Sequence, residues 1–172
     1  MPDFIIRRAR ESDVPAIVAM LANDALGATR ESLEDLMPYL AAFAEVDANP
    51  HQLLVVAEQH GRLVGTAQLA FMAGLSHKGM RRAEIEAVRI HAGERGSGLG
   101  TLLIEWCIRE ARARECGMVQ LTSNASRTSA HRFYERLGFT PSHVGFKLRL
   151  DRTAVKGAQP SFDAAQSPPG LG

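Results

Sequence analysis

The sequence has few cysteines and no long hydrophobic run. Cys107 and Cys116 are the two thiols among 172 residues, too few and too close in sequence for the disulfide framework of a small secreted domain. No stretch approaches the ~20 apolar residues of a membrane-spanning helix, and the first residues lack a signal-peptide core. We therefore expect a reduced, cytoplasmic protein with no membrane partner.

The chain also lacks an excess of charge of either sign. Its 20 Lys and Arg residues balance 19 Asp and Glu residues, which leaves a formal net charge of +1. A nucleic-acid-binding domain usually carries a clear positive excess, so no nucleic acid partner is expected. The 6 histidines are scattered without metal-ligand spacing, and we predict no metal.

The length fits one domain followed by a tail. Apolar periodicity covers residues 1–151, whereas residues 152–172 are rich in Ala, Gly, Gln, Ser and Pro, a composition typical of disorder. Period-two patterns and turn residues predict strands over residues 4–7, 53–58, 63–72, 82–90, 118–122 and 142–150. Helical spacing predicts helices over residues 14–25, 32–46, 99–115 and from Asn124 or Ser126 to residue 137.

A glycine-rich turn joins the strand over residues 82–90 to the next helix. Gly96, Gly98 and Gly100 alternate there, so successive backbone N–H groups can converge on an anion together with the helix N-terminus. A P-loop would require Gly-Lys-Ser/Thr, which is missing, and a dinucleotide fingerprint would require an acidic residue at the end of the next strand. Arg95 adds a fork of donors, and the turn therefore predicts a pyrophosphate site.

Two carboxylates precede this turn on one strand. With a period of two, Glu84 and Glu86 share a face with Val88 and Ile90. A half-exposed sheet edge would explain them without chemistry. The alternative is a catalytic role, because a carboxylate placed beside a substrate can act as a general base.

Two motifs resemble a known family. The pattern Val-x-Ile-x-x-x-x-Arg-Gly-x-Gly-x-Gly from Val88 to Gly100 is similar to the acyl-CoA-binding motif of the GNAT superfamily of N-acetyltransferases. The run Ala-His-Arg-Phe-Tyr-Glu-Arg-Leu-Gly-Phe that ends at Phe139 resembles the second motif of that family. The segment that ends at Lys147 is also similar to the tail of aminoalkylphosphonate acetyltransferases.

The resemblance implies an α/β GNAT fold. Its mixed central sheet of six to seven strands would splay between the fourth and fifth strands and be flanked by about four helices. A bulge would interrupt the fourth strand after Glu86, and the acceptor wall would lie at the joint of the first two helices, near Asp24, Arg30, Glu31 and Tyr39.

The resemblance also implies the site residues. Glu84 or Glu86, with Glu86 slightly favoured, would act as general base and Tyr134 as general acid. Acetyl-CoA, the co-substrate, would contact the strand backbone and the glycine turn, with Asn124 and Arg127 as further contacts. The residues expected to bind acetyl-CoA are Val88, Arg89, Ile90, Arg95, Gly96, Ser97, Gly98, Leu99, Gly100, Thr101, Asn124 and Arg127.

The resulting hypothesis is acetyl transfer from acetyl-CoA to a primary amine of a small molecule by direct attack. The lack of an extra domain or basic patch favours a small acceptor. Alternatives are an acyl-CoA-binding regulatory module without turnover, a protein or peptide amine acetyltransferase, and an enzyme that uses a longer acyl-CoA. We expect a monomer or a homodimer.

Overall fold

The computed structural model describes residues 4–23 and 27–150. Five strands form one sheet in the order β1-β2-β3-β4-β5. All neighbours are antiparallel except β4 and β5, which are parallel, so the sheet is mixed as predicted. The strands are β1 (Phe4–Arg8), β2 (Gln52–Gln59), β3 (Arg62–Met72), β4 (Arg82–Ile90) and β5 (Met118–Leu121).

Five α-helices occur in the described part of the chain. Four have nine or more residues, and the fifth is a four-residue turn between β3 and β4. The predicted end of the first helix, at residue 25, lies outside the described residues. The helices are α1 (Val14–Ala22), α2 (Met37–Ala48), α3 (Ser76–Gly79), α4 (Leu99–Ala113) and α5 (Thr128–Arg136). Within the described ranges, none is long and apolar enough to cross a membrane.

The chain divides into two compact units, residues 1–141 and residues 142–172. Of the second unit, residues 142–150 are described and form neither helix nor strand. The prediction of a strand there was wrong, and the described residues contain five strands instead of six to seven. Val144, Phe146, Leu148 and Leu150 have the period of a strand, but a strand also requires a backbone partner, which periodicity cannot reveal. The predicted tail over residues 152–172 lies outside the described residues.

The sheet has an apolar layer on each face. On one face, Leu103, Ile104 and Cys107 of α4 are buried against Ala83 and Ile85 of β4. Burial raises the pKa of the Cys107 thiol to about 12, so this cysteine is a core residue and not a nucleophile. Cys107 and Cys116 are both free thiols in the structure.

The opposite face is covered at one end by α1 and α2. Val14, Ile17 and Val18 of α1 cluster with Phe43 of α2 and Val56 of β2. Helix α1 begins with Pro15 in its first turn, where the missing N–H costs nothing.

Helix α2 starts five residues later than the predicted Ser32. The side chains of Ser32 and Asp35 accept hydrogen bonds from the backbone N–H groups of Glu34 and Met37, which holds this segment in turns. Pro38 then falls in the first turn of the helix. The delayed start leaves a polar connection in front of α2.

A half-buried charge cluster ties β1 to the start of α1. Arg7 donates to Asp13 through Nη1 at 2.7 Å and Nη2 at 3.1 Å, and its Nε donates to Glu58 at 2.9 Å. Asp13 also accepts the N–H of Arg10 at 2.8 Å. The hydrogen bonds from Arg7 are the main reason why the pKa of Asp13 is lowered, in spite of the burial that opposes ionisation.

We expect Asp13→Ala to lower the free energy of unfolding by about 2–4 kcal/mol, because it removes the carboxylate that accepts both Nη groups of Arg7 and the Arg10 N–H, and leaves Glu58 as the remaining carboxylate partner of Arg7. The matched control is Asp47→Ala, which removes an exposed pair with Arg8 and should cost about 0–1 kcal/mol. Urea denaturation at neutral pH measures both values. Equal losses in the two variants would contradict the central role of Asp13.

The same cluster predicts a pH dependence. A carboxyl group whose pKa is lowered on folding stabilises the native state above its unfolded pKa, and this stabilisation is lost as pH falls through its folded pKa. The stability difference between wild type and Asp13→Ala should therefore shrink in acid.

Candidate active site

The end of the second sheet face that lies outside the α1–α2 cluster is polar. Register pairs Gln52 with Ala70, Ala70 with Glu84, and Glu84 with Gln120, so these four residues form one row across four strands. In the next row Gln68 lies opposite Glu86. Both predicted carboxylates therefore lie on this face, next to each other on β4, and we call this set of Gln52, Gln68, Glu84, Glu86 and Gln120 the polar face.

The two carboxylates differ in their surroundings. Glu84 is half-buried, and its Oε2 accepts a weak hydrogen bond from Gln120 Nε2 at 3.4 Å. Glu86 is exposed. Gln68 is held from the other side, since its Nε2 donates to Gln52 Oε1 at 3.0 Å.

Strand β4 bulges immediately after Glu86. Thr66 pairs with Arg89 and Gln68 with Glu86, so Ala67 alone opposes both Ala87 and Val88. Ala87 has a φ of 51°, a left-handed conformation that is uncommon for alanine. The bulge expected from the family resemblance is therefore present.

The bulge reverses the face on which later side chains lie. Strict alternation would place Val88 and Ile90 beside Glu84 and Glu86, but both pack on the α4 side with Ile85. That expectation was wrong because one extra residue shifts the alternation. Arg89, paired with Thr66, lies on the opposite face, and its Nη1 donates to the Val88 carbonyl at 2.9 Å.

The parallel ladder between β4 and β5 stops at the bulge. Its last pair is Ile85 with Leu121, and β5 ends there, whereas β4 continues to Ile90. Residues 86–90 therefore have β3 on one side and no paired strand on the other within the described chain. This opening matches the splay predicted between the fourth and fifth strands.

The glycine-rich turn follows β4 after one 3-10 turn, Ala92–Glu94. Gly96 and Gly98 have φ values of 83° and 89°, which glycine adopts without strain. Leu99 is buried, so it can offer a ligand only its backbone N–H. The N–H of Leu102 donates to the Gly98 carbonyl, which leaves the N–H groups of Leu99, Gly100 and Thr101, in the first turn of α4, available for an anion. The N–H of Ser97 donates to the Glu94 carbonyl at 3.4 Å.

Two side chains of this turn have local partners. Arg95 Nη2 donates to the Asn23 carbonyl at the end of α1 at 3.0 Å, which connects the turn to that helix and leaves further guanidinium donors. Ser97 Oγ donates to the Glu94 carbonyl at 2.6 Å. The hydroxyl of Ser97 therefore stabilises the turn, and its hydrogen is not directed at a ligand.

Helix α5 brings Tyr134 to the same apolar cluster as Val88 and Ile90. Its ring contacts Phe133 and Phe139 edge-on, with centroids 5.1 Å and 5.8 Å away. Burial raises the pKa of Tyr134, and the positive charges of Arg127 and Arg89 oppose this shift. The phenol is therefore protonated at neutral pH and lies near two cations.

The helix start of α4 adjoins both β4 and α5. A Cβ added at Gly100 would lie 3.4 Å from Phe133 Cζ and 3.7 Å from Ile90 Cγ1. The glycine-rich turn, the part of β4 that β5 does not pair with and the helix that carries Tyr134 thus lie next to one another.

The loop before α5 differs from the prediction. Asn124 Oδ1 accepts hydrogen bonds from the N–H and Oγ of Ser126 at 2.9 Å and 2.7 Å, and α5 begins only at Thr128, with Arg127 as its N-cap residue. Neither Asn124 nor Ser126 caps the helix, because the Asn124 oxygen is used in the turn. The amide NH₂ of Asn124 remains available to a ligand.

The predicted acceptor wall is only partly described. Tyr39 donates its hydroxyl hydrogen to Glu31 Oε2 at 2.9 Å and accepts the Ser32 N–H at 2.8 Å. These contacts fix the connection before α2. Arg30 is exposed, and Asp24 lies outside the described residues.

The arrangement fits an acyl-CoA. Backbone donors with no helical partner suit a pyrophosphate, and an open strand edge suits an amide-bearing arm that bonds as an added strand would. Among residues 4–23 and 27–150, no three His, Cys, Asp or Glu side chains are grouped as metal ligands would be. Independence from metal stays a prediction.

Comparison with known proteins gives the family. The model of the acetyltransferase (GNAT) family matches residues 18–139, which is more than half of the chain. The chain belongs to the GNAT family. GNAT acetyltransferases use acetyl-CoA as co-substrate, and this protein is an acetyl-CoA-dependent N-acetyltransferase.

Similar proteins include two curated GNAT relatives. Aminoalkylphosphonate N-acetyltransferase of Salmonella typhimurium is 30% identical over 155 residues, which cover 87% of this chain and 94% of the relative. L-methionine sulfoximine/L-methionine sulfone acetyltransferase of Pseudomonas aeruginosa is 29% identical over 174 residues, which cover 95% of this chain and 98% of the relative. A crystal structure from Bacillus halodurans described as a transcriptional regulator is 40% identical, with a TM-score of 0.83 over 86% of this chain and 99% of that chain.

Sequence reasoning missed the polar neighbours of the carboxylates. Gln68 and Gln120 are polar residues within largely apolar strands, and this pattern could have indicated that they face a site. Their pairing with the carboxylate-bearing rows depends on strand register across the sheet, which a single sequence does not reveal.

The glycine turn of this GNAT enzyme yields a prediction. Gly98→Ala should weaken acetyl-CoA binding about 10-fold or more, because a φ of 89° is unfavourable for alanine and its relief would move backbone donors away from the phosphates. The control is Gly61→Ala in the β2–β3 hairpin, where φ is also positive, at 72°.

Both substitutions should lower the free energy of unfolding by about 1–2 kcal/mol. Calorimetric titration with acetyl-CoA and urea denaturation measure the two effects separately. Unchanged acetyl-CoA affinity in Gly98→Ala would contradict the assignment of the turn to the pyrophosphate.

Proposed function

We propose that this GNAT enzyme transfers the acetyl group of acetyl-CoA to a primary amine of a small molecule by direct attack. The observation that carries the proposal is the position of Glu84 and Glu86, side by side on the polar face and immediately before the bulge that opens β4. The substrate names of the relatives from Salmonella and Pseudomonas support a small acceptor. A protein or peptide amine is the alternative acceptor, and a longer acyl group the alternative donor.

Glu84 and Glu86 are the proposed proton acceptors. An amine must lose a proton as its nitrogen forms a bond to the acetyl carbon, and a carboxylate within reach, directly or through one water, can take it. Glu84 has the more defined position, because Gln120 holds it, whereas Glu86 lies closer to the open part of β4. We therefore retain both residues.

Tyr134 is the proposed general acid. As the carbon–sulfur bond breaks, the departing thiolate requires a proton, and a phenol can supply it. Since burial raises the pKa of Tyr134, the phenol carries its proton throughout the neutral range. Arg127 and Arg89, whose charges act on this phenol, would favour the tyrosinate that forms after the transfer.

Acetyl-CoA supplies the activated acetyl group, and the chain supplies its binding site. The N–H groups of Gly96, Gly98, Leu99, Gly100 and Thr101 and the free donors of Arg95 are proposed to bind the pyrophosphate. The backbone of Val88 to Ile90 is proposed to bond to the pantetheine arm, with Asn124 and Arg127 near the opposite side. We also propose a cytoplasmic enzyme that acts as a monomer or a homodimer.

A second candidate is a regulatory role for the same site, in which acyl-CoA binding carries the effect. The solved structure described as a transcriptional regulator, 40% identical to this chain, favours its consideration. Thiol release from acetyl-CoA in the presence of an amine panel separates the two: binding without release on any amine supports regulation.

Glu84→Gln and Glu86→Gln should each lower kcat/KM, and the loss should be about 100-fold or more for the residue that takes the proton. Because a primary amine has a pKa of ~10, raising the pH supplies more free amine and should restore part of the activity of that variant. Tyr134→Phe should lower kcat by a similar factor without this recovery. Continuous thiol release measures all three.

The control for these variants is Glu105→Gln, which changes an exposed carboxylate on α4 and should leave the kinetics unchanged. If Glu84→Gln, Glu86→Gln and Tyr134→Phe all keep wild-type kcat, the proposed acid–base roles are wrong.

A further inference from the structure

The first residue of β4 carries a cation without a partner in the described chain. Arg82 is half-buried, and its Nε is a buried donor with no acceptor among residues 4–23 and 27–150. The ion pairs of the described residues do not include Arg82. A buried guanidinium donor without an acceptor is unfavourable, so its environment suits a bound oxyanion.

Nearby arginines are different because they have protein partners. Arg114 donates to Glu110 Oε1 at 2.8 Å and stacks over the Phe71 ring, with its Cζ 4.2 Å from the centroid. Arg81, next in sequence to Arg82, is exposed, and its Nη1 lies 3.5 Å from the Arg114 carbonyl oxygen. Structural roles thus account for these two arginines and leave Arg82 without one.

Strand register places Arg82 on the polar face. It is two residues before Glu84 and four before Glu86, so all three side chains leave β4 on the side opposite to the buried Ala83 and Ile85. Two residues along a strand span about 6.6 Å. A cation and two carboxylates therefore follow one another along a single line on this face.

The residues beside Arg82 complete a short binding surface. Its cross-strand neighbours are Met72 on β3 and Met118 on β5, which flank the guanidinium stem with flexible apolar side chains. The guanidinium presents paired donors that match the oxygens of a carboxylate, phosphonate or sulfonate. The surface is thus positive at one end and negative at the other, which is complementary to a molecule with one amine and one anionic group.

We propose that Arg82 binds an anionic group of the acceptor, so that the preferred acceptors are short primary amines that also carry a carboxylate, phosphonate or sulfonate. The inference rests on the proposed acetyl transfer at the same face and adds a specificity-determining residue to it. Glu84 and Glu86 receive the amine end, and Arg82 receives the acid end. The distance along β4 between Arg82 and the two carboxylates favours an acceptor in which only a few bonds separate the amine from the anionic group.

The test compares matched acceptors and matched variants. The acceptors are β-alanine and 2-aminoethylphosphonate, which carry an anionic group, and propylamine, which does not. The variants are Arg82→Gln, Arg82→Lys and the control Arg81→Gln. Retained acetyl-CoA affinity and an unchanged circular dichroism spectrum verify that each variant folds.

Wild type should acetylate the two anionic acceptors with a lower KM than propylamine. Arg82→Gln should raise KM for β-alanine and 2-aminoethylphosphonate about 10- to 100-fold and leave that for propylamine and acetyl-CoA unchanged. Arg82→Lys should retain part of the preference for the anionic acceptors, because lysine keeps the positive charge but lacks the paired guanidinium donors. Arg81→Gln should behave as wild type.

Two results would overturn the inference while the proposed transfer stands: equal efficiency of wild type on propylamine and β-alanine, or an equal loss on all three acceptors in Arg82→Gln. If no amine releases thiol, the proposed function fails instead. Titration of 2-aminoethylphosphonate into protein saturated with desulfo-CoA then tests Arg82 alone, and equal affinity in wild type and Arg82→Gln contradicts its role.

Discussion

The interruption of β4 by one extra residue is the constraint on which the rest of the site depends. Two residues, Ala87 and Val88, oppose Ala67, and Ala87 adopts a left-handed conformation to allow it. Such a conformation is unfavourable for a residue with a Cβ and persists only where surrounding packing determines it. Here Val88 and Ile90 pack on the α4 side, so burial of their side chains favours the bulge. As the ladder to β5 ends just before it, the bulge coincides with the opening of the sheet.

The two faces of the sheet carry different parts of the site. The α4 face is apolar and orients the helix whose glycine-rich start provides the backbone donors, with Phe133 of α5 packed near Gly100. The other face carries Arg82, Glu84 and Glu86 one after another along β4, in a part that the α1–α2 apolar cluster does not cover. An acyl-CoA at the open strand edge and an amine on the polar face would approach β4 from different directions, as direct transfer between two substrates requires.

Local patterns predicted much of this arrangement. The extent of strand β4, the position of the glycine-rich turn before α4 and the start of α4 at Leu99 follow from short-range signals, and each matched the structure. Alternation along β4 held only as far as Glu86, because the bulge shifts it. Features that depend on distant partners were missed or wrong. Helix α2 starts later than predicted because the side chains of Ser32 and Asp35 accept hydrogen bonds from nearby backbone N–H groups. Residues 142–150 alternate as a strand would but form none, because alternation alone does not supply a neighbouring strand. The Gln120–Glu84 contact likewise depends on register between strands far apart in sequence.

The most direct test of the central claim is amide chemical-shift mapping of ¹⁵N-labelled protein during titration with acetyl-CoA. The account predicts that the largest changes fall on residues 86–90, at and beyond the bulge, and on residues 96–101, in the glycine turn and the first turn of α4. Amides of β1, at the far edge of the sheet, should remain unchanged. Saturable binding that leaves residues 86–90 unperturbed while shifting amides elsewhere would contradict the assignment of the opened strand to the acyl-CoA arm.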